Sequence, residues 1–440
     1  MSEKNQTNRS AFIVVTTLFF MWGFITVLVD ALIPRLREVF ELSYFEAGLV
    51  QFSFFTAYFV MSIPSGGLIS RIGYKKGVIT GLITMGAGCL LFYPAASLRV
   101  FPIFLIALFV LASGITMLQV AANPYVAALG PAKTASSRLN LSQAFNSLGT
   151  TIAPLVSAAF ILGNTVASST EVSAMTEIER EAYYIAEAGA VQGPFLVLSM
   201  VLLVLAGVFA AFKLPKILES DHDRSGSYRS ALKYKHLIFG AIGIFVYVGA
   251  EVTIGSYLVN YFLSLDVESL VEGSSLMTAV AGFLSGSEPG QLNPARLAGT
   301  FVFFYWGGAM IGRFIGSAIQ LKVQPAKLLS MYAGANVLLL IFTMLSSDYT
   351  AFFTVLSMGL FNSIMFPTIF TLSIDGIGNN TAQGSGILCT AIVGGAFIPP
   401  LYGYFADLYT LQAAFIIPLV CYLYITWYGL YGAKIDDTES

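Results

Sequence analysis

Apolar runs of about twenty residues, separated by short polar stretches, recur from one end of the chain to the other. As a helix, a run of that length crosses the ~30 Å hydrocarbon layer of a bilayer. We place such runs at 11–33, 46–69, 77–96, 101–123, 140–162, 193–213, 237–261, 297–320, 327–346, 350–373, 384–405 and 411–432. They are continuous, without the alternation of apolar and polar residues that a membrane β-barrel needs. The pattern predicts an all-α membrane protein with twelve transmembrane helices. Between the runs, 164–192 and 264–294 read as polar, acidic loops outside the membrane, and 214–236 as a polar linker that halves the chain. The expected organisation is a first six-helix bundle over 1–213 and a second over 237–440.

The two halves repeat each other. Gly149 stands five residues before Pro154 in the fifth run, and Gly395 five before Pro400 in the eleventh, an offset of 246. Pro124 matches Pro367 at an offset of 243, and Tyr58 matches Tyr305 at 247. Phe24 precedes Asp30 by six residues, as Phe245 precedes Glu251. Matches in order along both halves point to two pseudo-symmetric six-helix bundles. Bundles joined by a flexible linker can rock about a central cavity with the substrate near mid-membrane, as secondary transporters do.

Composition agrees with the pattern. The 440 residues are 56% hydrophobic and only 10% charged, with a mean hydropathy of +0.78. Soluble domains carry about 25% charged residues. The charges are sorted by loop: all the lysines, from Lys4 to Lys434, fall at the two ends and in loops on one side of the predicted spans. By the positive-inside rule that side is cytoplasmic, which puts both termini inside a bacterial-type inner (plasma) membrane. The first ten residues are polar and the run after them has no small-residue cleavage site, so it reads as a retained first span. A net charge of -2 gives no sign of a nucleic-acid partner. Cys89, Cys389 and Cys421 are scattered through apolar runs, which suits neither a disulfide framework nor a metal cluster. Phosphate-cradling glycine loops with a lysine, HExxH, CxxC pairs and Ser–His–Asp sets are absent, and both histidines, His222 and His236, sit at the linker. No enzyme and no cofactor are expected.

What remains are polar residues inside the spans. An ionisable group there costs about 2.5–3.5 kcal/mol on insertion scales and is a functional candidate for that reason. Asp30 is the acid of the first run and Glu251 that of the seventh; both are candidates for cation coupling, and Asp30 for a sodium ligand. Asp30 could instead reach the interface or pair with Arg35 or Arg37. Arg313 reads as structural, tied to neighbouring carbonyls. Amides form the second group: Gln51, Gln119, Asn123, Gln143, Asn146 and Asn362, with Asn140 nearer the cytoplasmic end as a structural or gating residue. Gln119 and Asn123 share a helix face at four-residue spacing. Amides donate and accept, which suits neutral hydroxyl groups, with Trp22 among the aromatic walls. They could equally cross-link helices. An exporter of amphipathic compounds would show an aromatic pocket with few amides, and a membrane sensor would need a signalling domain.

The stretches AANPYVAALGP, SRLNLSQAFNSLGT, AYFVMSIPSGGLISRIGYKKG and FPTIFTLSIDGIG carry a resemblance to the fucose–galactose–glucose symporter family of the major facilitator superfamily. It covers nearly the whole chain. In GGLISRIGYKKG, Ser70 stands where the superfamily's cytoplasmic loop pattern has aspartate. The resemblance implies a cation-coupled importer of a neutral hexose working by alternating access. It implies that Asp30 is the family's first-span aspartate, with Trp22 before it, and that Gln143 and Asn146 are its fifth-span sugar-contacting amides. The chain departs from the fucose branch at two places. Gln119 stands where that branch has its proton-linked glutamate, as in the glucose/galactose branch, and Glu251 stands where the fucose branch has glutamine. A glutamine cannot titrate, which closes that proton route; Asp30 could still carry a proton alone, or bind sodium together with amide carbonyls and hydroxyls. The resemblance to the glucose/galactose branch, which is associated with sodium stimulation, favours sodium as coupling ion and glucose or galactose over fucose; a proton-coupled symporter of fucose or another hexose is the alternative. The expected partners are a sugar, sodium or a proton, and the lipid bilayer.

Overall fold

In hydrocarbon every backbone amide must find its partner inside the protein, and an uninterrupted apolar segment does this by coiling into a helix. The computed structural model describes residues 8–39, 44–98, 100–160, 174–215, 217, 226–287, 290 and 292–435, with the side chains of 28–48, 51, 155–160 and 187–191 outside the description. Its main helices are α1 (Arg9–Val39), α2 (Tyr44–Ile72), α3 (Tyr74–Leu98), α4 (Phe101–Ala128), α5 (Ala135–Phe160) and α6 (Glu177–Ala211). After the linker come α7 (Lys235–Ser264), α8 (Ser275–Ser285), α9 (Pro294–Ile319), α10 (Pro325–Leu345), α11 (Asp348–Asn362), α12 (Met365–Ser373), α13 (Thr381–Thr390), α14 (Gly394–Leu408) and α15 (Ile416–Trp427). Among the described residues, eleven helices are long and apolar enough to cross a membrane. The twelfth, α5, is equally long but diluted by SRLNLSQAFNSLGTT. Proline opens α4, α9 and α10 at their first or second positions, where its missing N–H costs nothing.

Four details differ from the sequence expectation. The tenth span is two helices, α11 and α12, broken at Ser363–Ile364 just before Pro367, and the eleventh is likewise divided between α13 and α14. The described acidic residues before the sixth span, Glu177, Glu179 and Glu181, are not loop but the first turns of α6, opened by a capping box of Thr176 and Glu179. Residues 264–294 are not simply polar: they contain α8, an eleven-residue helix of apolar and small polar residues. The linker holds a short helix at Tyr228–Ala231, whose Tyr228 hydroxyl donates to the Ile63 carbonyl. Burial pushes that phenol up to about 12.

The chain forms two compact units, and they are not simply its two halves. Unit 1 comprises Met1–Pro131, Phe145–Ala231 and Ile377–Thr390; unit 2 comprises Ala132–Ala144, Leu232–Gly376 and Ala391–Ser440. The start of α5 therefore belongs to unit 2, and α13, which begins about one repeat later, belongs to unit 1. In unit 2, Ser137 and Ser317 bond each other's carbonyls (2.7 and 2.9 Å), Ser136 meets the Thr371 hydroxyl at 2.6 Å, and Asn140 donates to Gln320 at 2.5 Å. In unit 1, Gln383 donates to the Gly226 carbonyl (2.9 Å) and Ser227 N–H to the Asn380 side chain (3.1 Å). Each crossing segment is thus held by small neutral side chains.

The same close approach is built in both units. A Cβ on Gly149 would lie 2.3 Å from the Phe20 carbonyl oxygen, so α1 and α5 touch backbone to backbone. A Cβ on Gly394 would lie 1.9 Å from the Phe245 carbonyl oxygen, which brings α7 and α14 equally close. Small residues permit such contacts in membranes, where helices are drawn together by packing rather than by expelling water.

Candidate functional site

Prolines inside α4 and in the first turn of α12 set the local chemistry. Pro124 has no N–H to offer the Val120 carbonyl four residues earlier, and Pro367 none for the Ser363 carbonyl. Each freed oxygen has found a donor. Ser385 on α13 donates to the Val120 oxygen at 2.8 Å. Arg313 on α9 donates its Nε–H to the Ser363 oxygen at 3.1 Å. The reading of Arg313 as tied to a carbonyl matches this bond. Its guanidinium has a second neighbour, the Glu251 carboxylate at 3.9 Å, and the two side chains are similarly shielded (15–16% exposed). A buried arginine and a buried acid each lower the cost of the other.

Around that pair, unit 2 holds a dense polar network. The side-chain amide of Asn362 donates to the Tyr305 hydroxyl (2.7 Å), and its oxygen accepts from Asn336 and from Tyr422 (both 2.7 Å). The main-chain oxygen of Asn362 accepts from the Tyr247 hydroxyl at 3.1 Å, and Tyr305 donates to the Glu251 carbonyl at 3.5 Å. Glu251 and Asn362, both candidates from the sequence, are therefore brought together through Tyr247 and Tyr305. Asn362 is fully buried, and both ends of its amide are engaged by protein. Gln143 also belongs to unit 2 and is buried, along the early part of α5 that carries Asn140.

Unit 1 carries the counterpart in a simpler form. Gln119 on α4 donates its amide N–H to the Tyr58 hydroxyl of α2 at 2.5 Å. Among the described residues, Tyr58 is the one side-chain partner recorded for Gln119. The repeat offset of 243 that links Pro124 to Pro367 carries Gln119 onto Asn362, and Tyr58 matches Tyr305. The tyrosine–amide bond is therefore the same device in both units, and in unit 2 it is built into a wider network. Asn123, one turn beyond Gln119, is fully buried. Asn146 on α5 donates to the Phe19 carbonyl of α1 at 2.9 Å, beside Trp22, whose ring lies 5.6 Å from that of Phe19. The side chains of Asp30 and Gln51 lie outside the described residues.

Tyr422, Asn336 and Ser385 went unread in the sequence, and Tyr58 and Tyr305 were seen only as repeat markers. Two signals pointed to them: the repeat offset applied to Gln119, and the rule that an intramembrane proline leaves a carbonyl that something must satisfy. Among the described residues, no group of three or more histidine, cysteine or acidic side chains is placed to hold a metal ion.

Comparison with known proteins places this arrangement. Residues 11–392 match the model of the Major Facilitator Superfamily. The chain is 49% identical over 421 residues to a protein named glucose/galactose transporter from Brucella abortus, covering 96% of this chain and 93% of that one. It is 33% identical to a protein named L-fucose-proton symporter from Escherichia coli, over 94% and 91% of the two chains. Among solved structures it resembles the fucose transporter FucP in its outward conformation, with a TM-score of 0.84 at 29% identity over 96% and 98% of the chains. The relatives are transporters, not enzymes. This protein, with its twelve spans in two pseudo-symmetric six-helix sets, is a multi-pass membrane transporter that belongs to the major facilitator superfamily, in the group of the glucose/galactose transporters and L-fucose–proton symporters.

Proposed function

We propose that the protein is a cation-coupled symporter that imports a neutral hexose of the glucose/galactose type by alternating access. The observation that carries the reading is Gln119, a neutral amide held by Tyr58, in a chain 49% identical to a named glucose/galactose transporter. With its N–H bound to the phenol, the Gln119 carbonyl oxygen is left to accept from a sugar hydroxyl. Asn123, Gln143, Asn146 and Gln51 supply further donors and acceptors, and Trp22 an aromatic face against which a sugar's C–H groups pack. Glu251 and Asn362 act as organisers of the unit 2 network, since both are already engaged by Arg313 and three tyrosines.

With Glu251 engaged, Asp30 is the coupling carboxylate in this proposal. Sodium is the cation favoured, because Gln119 cannot carry a proton and a carboxylate such as Asp30 is a hard oxygen ligand of the kind that main-group cations take. The proton is the second reading, favoured by the relatives whose names state an ion, the L-fucose-proton symporters. Both termini lie in the cytoplasm of an inner membrane, on the strength of the lysine distribution.

The deciding measurement is uptake of radiolabelled glucose and galactose into proteoliposomes, with inward sodium and proton gradients imposed separately, for wild type and Asp30→Asn. The expected result is sodium-driven accumulation that the substitution abolishes. Accumulation under the proton gradient alone would move the coupling to the proton. No uptake of either sugar under any gradient would sink the hexose assignment and leave the fold untouched.

A further inference from the structure

The helix α8 stands out because two of its faces are apolar and only one is covered by protein. Its sequence, SLMTAVAGFLS, has no charged residue. Met277 and Ala281 are buried, and the helix packs against α9. On another face Leu276, Ala279 and Phe283 fall within about 60° of one another at helical spacing, and Leu276 and Phe283 are 69% and 88% exposed. The helix is firmly placed. Ser274 caps it by accepting from the Met277 N–H, and Gly286 closes it with φ of 65°. The Tyr349 hydroxyl donates to the Leu270 carbonyl at 2.9 Å just upstream, and Thr278 donates to the Val271 carbonyl at 2.7 Å.

Beneath α8 lies a cavity of about 450 Å³, walled by Leu276, Met277, Phe301, Phe304, Phe353 and Leu360. Its one hydroxyl, Ser357, donates to the Phe353 carbonyl of its own helix at 2.7 Å, so nothing in the wall asks for a polar ligand. Two of the wall residues, Phe304 on α9 and Phe353 on α11, are themselves about half exposed, so the cavity opens onto the outer surface of two helical segments long and apolar enough to cross a membrane. The acids of this region, Asp266, Glu268 and Glu272, are exposed and gathered in the preceding turns, away from the α8 stripe.

We infer that α8 is an interfacial helix, with its Leu276–Phe283 face sunk in the bilayer surface and an acyl chain of a membrane lipid filling the cavity between α8, α9 and α11. Interfacial helices of this kind bury an apolar face ~5–10 Å into the boundary between headgroups and acyl chains. Continuity with the hydrocarbon-facing surface of two membrane helices selects lipid as the occupant. A soluble partner would have to cover a surface that already lies in the bilayer.

The test uses the full-length protein in phosphatidylcholine liposomes. Nitroxide labels are placed at Leu276→Cys and Phe283→Cys, with Glu268→Cys as an aqueous reference; the unlabelled background is low because the three native cysteines are buried. The expected result is that oxygen relaxes the first two labels several-fold more than a water-soluble nickel chelate does, with the reverse at 268. Labels at 276 and 283 that behave like 268 would overturn the inference. So would exclusion of both reagents, which would mean that a second copy covers the face. A second measurement needs no substitution: phosphatidylcholine with a photoreactive acyl tail is cross-linked to wild-type protein and the adducts are mapped. Adducts within 276–284 and 353–360 support the cavity as a lipid site. Their absence there, with labelling elsewhere on the spans, refutes it.

Discussion

Gln119 and Asn362 are one amide in two settings, and the difference is how many side chains hold the amide. Tyr58 fixes Gln119 with a single bond, while Asn362 is held by Tyr305, Asn336 and Tyr422 together. A neutral hydrogen bond is worth about 1 kcal/mol net, close to a factor of five in affinity. Tyr58→Phe is therefore expected to raise the KM for sugar about fivefold with little change in maximal rate; an unchanged KM would remove Tyr58 from the positioning role. At Arg313 the stakes are higher, because the guanidinium serves both the orphaned Ser363 carbonyl and Glu251. Arg313→Met leaves a shielded carboxylate uncompensated, and the expected loss of stability is on the order of 3 kcal/mol. Adding Glu251→Gln should restore part of it, which thermal unfolding in detergent reads directly. If the double variant is no more stable than the single one, the 3.9 Å pair carries nothing.

At the scale of elements, the informative features are breaks and contacts that a hydropathy pattern passes over. Ser385→Ala would strand the Val120 carbonyl that Pro124 has freed. Hydrogen bonds between membrane helices average about 0.6 kcal/mol, so the expected cost is of that order and should be smaller in a Pro124→Ala background, where the Val120 carbonyl regains its N–H partner. Gly149→Val would force α1 and α5 apart, since even one carbon there meets the Phe20 carbonyl. Failure to assemble, seen as loss of a monodisperse peak, is the expected outcome. At the start of α6, the Thr176 backbone N–H and hydroxyl bond the Glu179 carboxylate and hold it below the ordinary glutamate range. A group whose pKa is lowered on folding contributes above its unfolded pKa and loses that contribution as the pH falls through the folded one. Amide exchange at the head of α6 should thus be slower in wild type than in Glu179→Gln at neutral pH. The two should converge in acid.

For the whole molecule, the surface is inverted relative to a soluble protein. Large apolar side chains such as Phe52, Met200 and Phe397 face outward while serines, asparagines and glutamines lie buried, so the exterior suits lipid and the interior carries the polar chemistry. The proposed orientation rests on charge alone, and under it reporter fusions at the two chain ends should both report the cytoplasm. An external reading for either end would overturn the lysine-based topology. The exchange of 132–144 and 377–390 between the compact units belongs to this scale too, because it places equivalent segments of the two repeats in equivalent roles.

By itself the sequence determined the helical membrane class, the number of spans and the internal repeat. These depend on local quantities, namely hydropathy over twenty residues and the spacing of prolines and glycines, and the match to relatives over nearly the whole chain agrees with them. It also pointed to Gln119, Asn146, Glu251 and Asn362 as polar residues too costly to be incidental. Which groups they bond was decided by the tertiary structure alone. The Tyr58 phenol is 61 residues from Gln119 and Ser385 is 265 residues from Val120, so no local pattern registers either pairing. The same holds for α8: a short apolar segment inside an acidic stretch reads as loop until its neighbours show which faces remain uncovered.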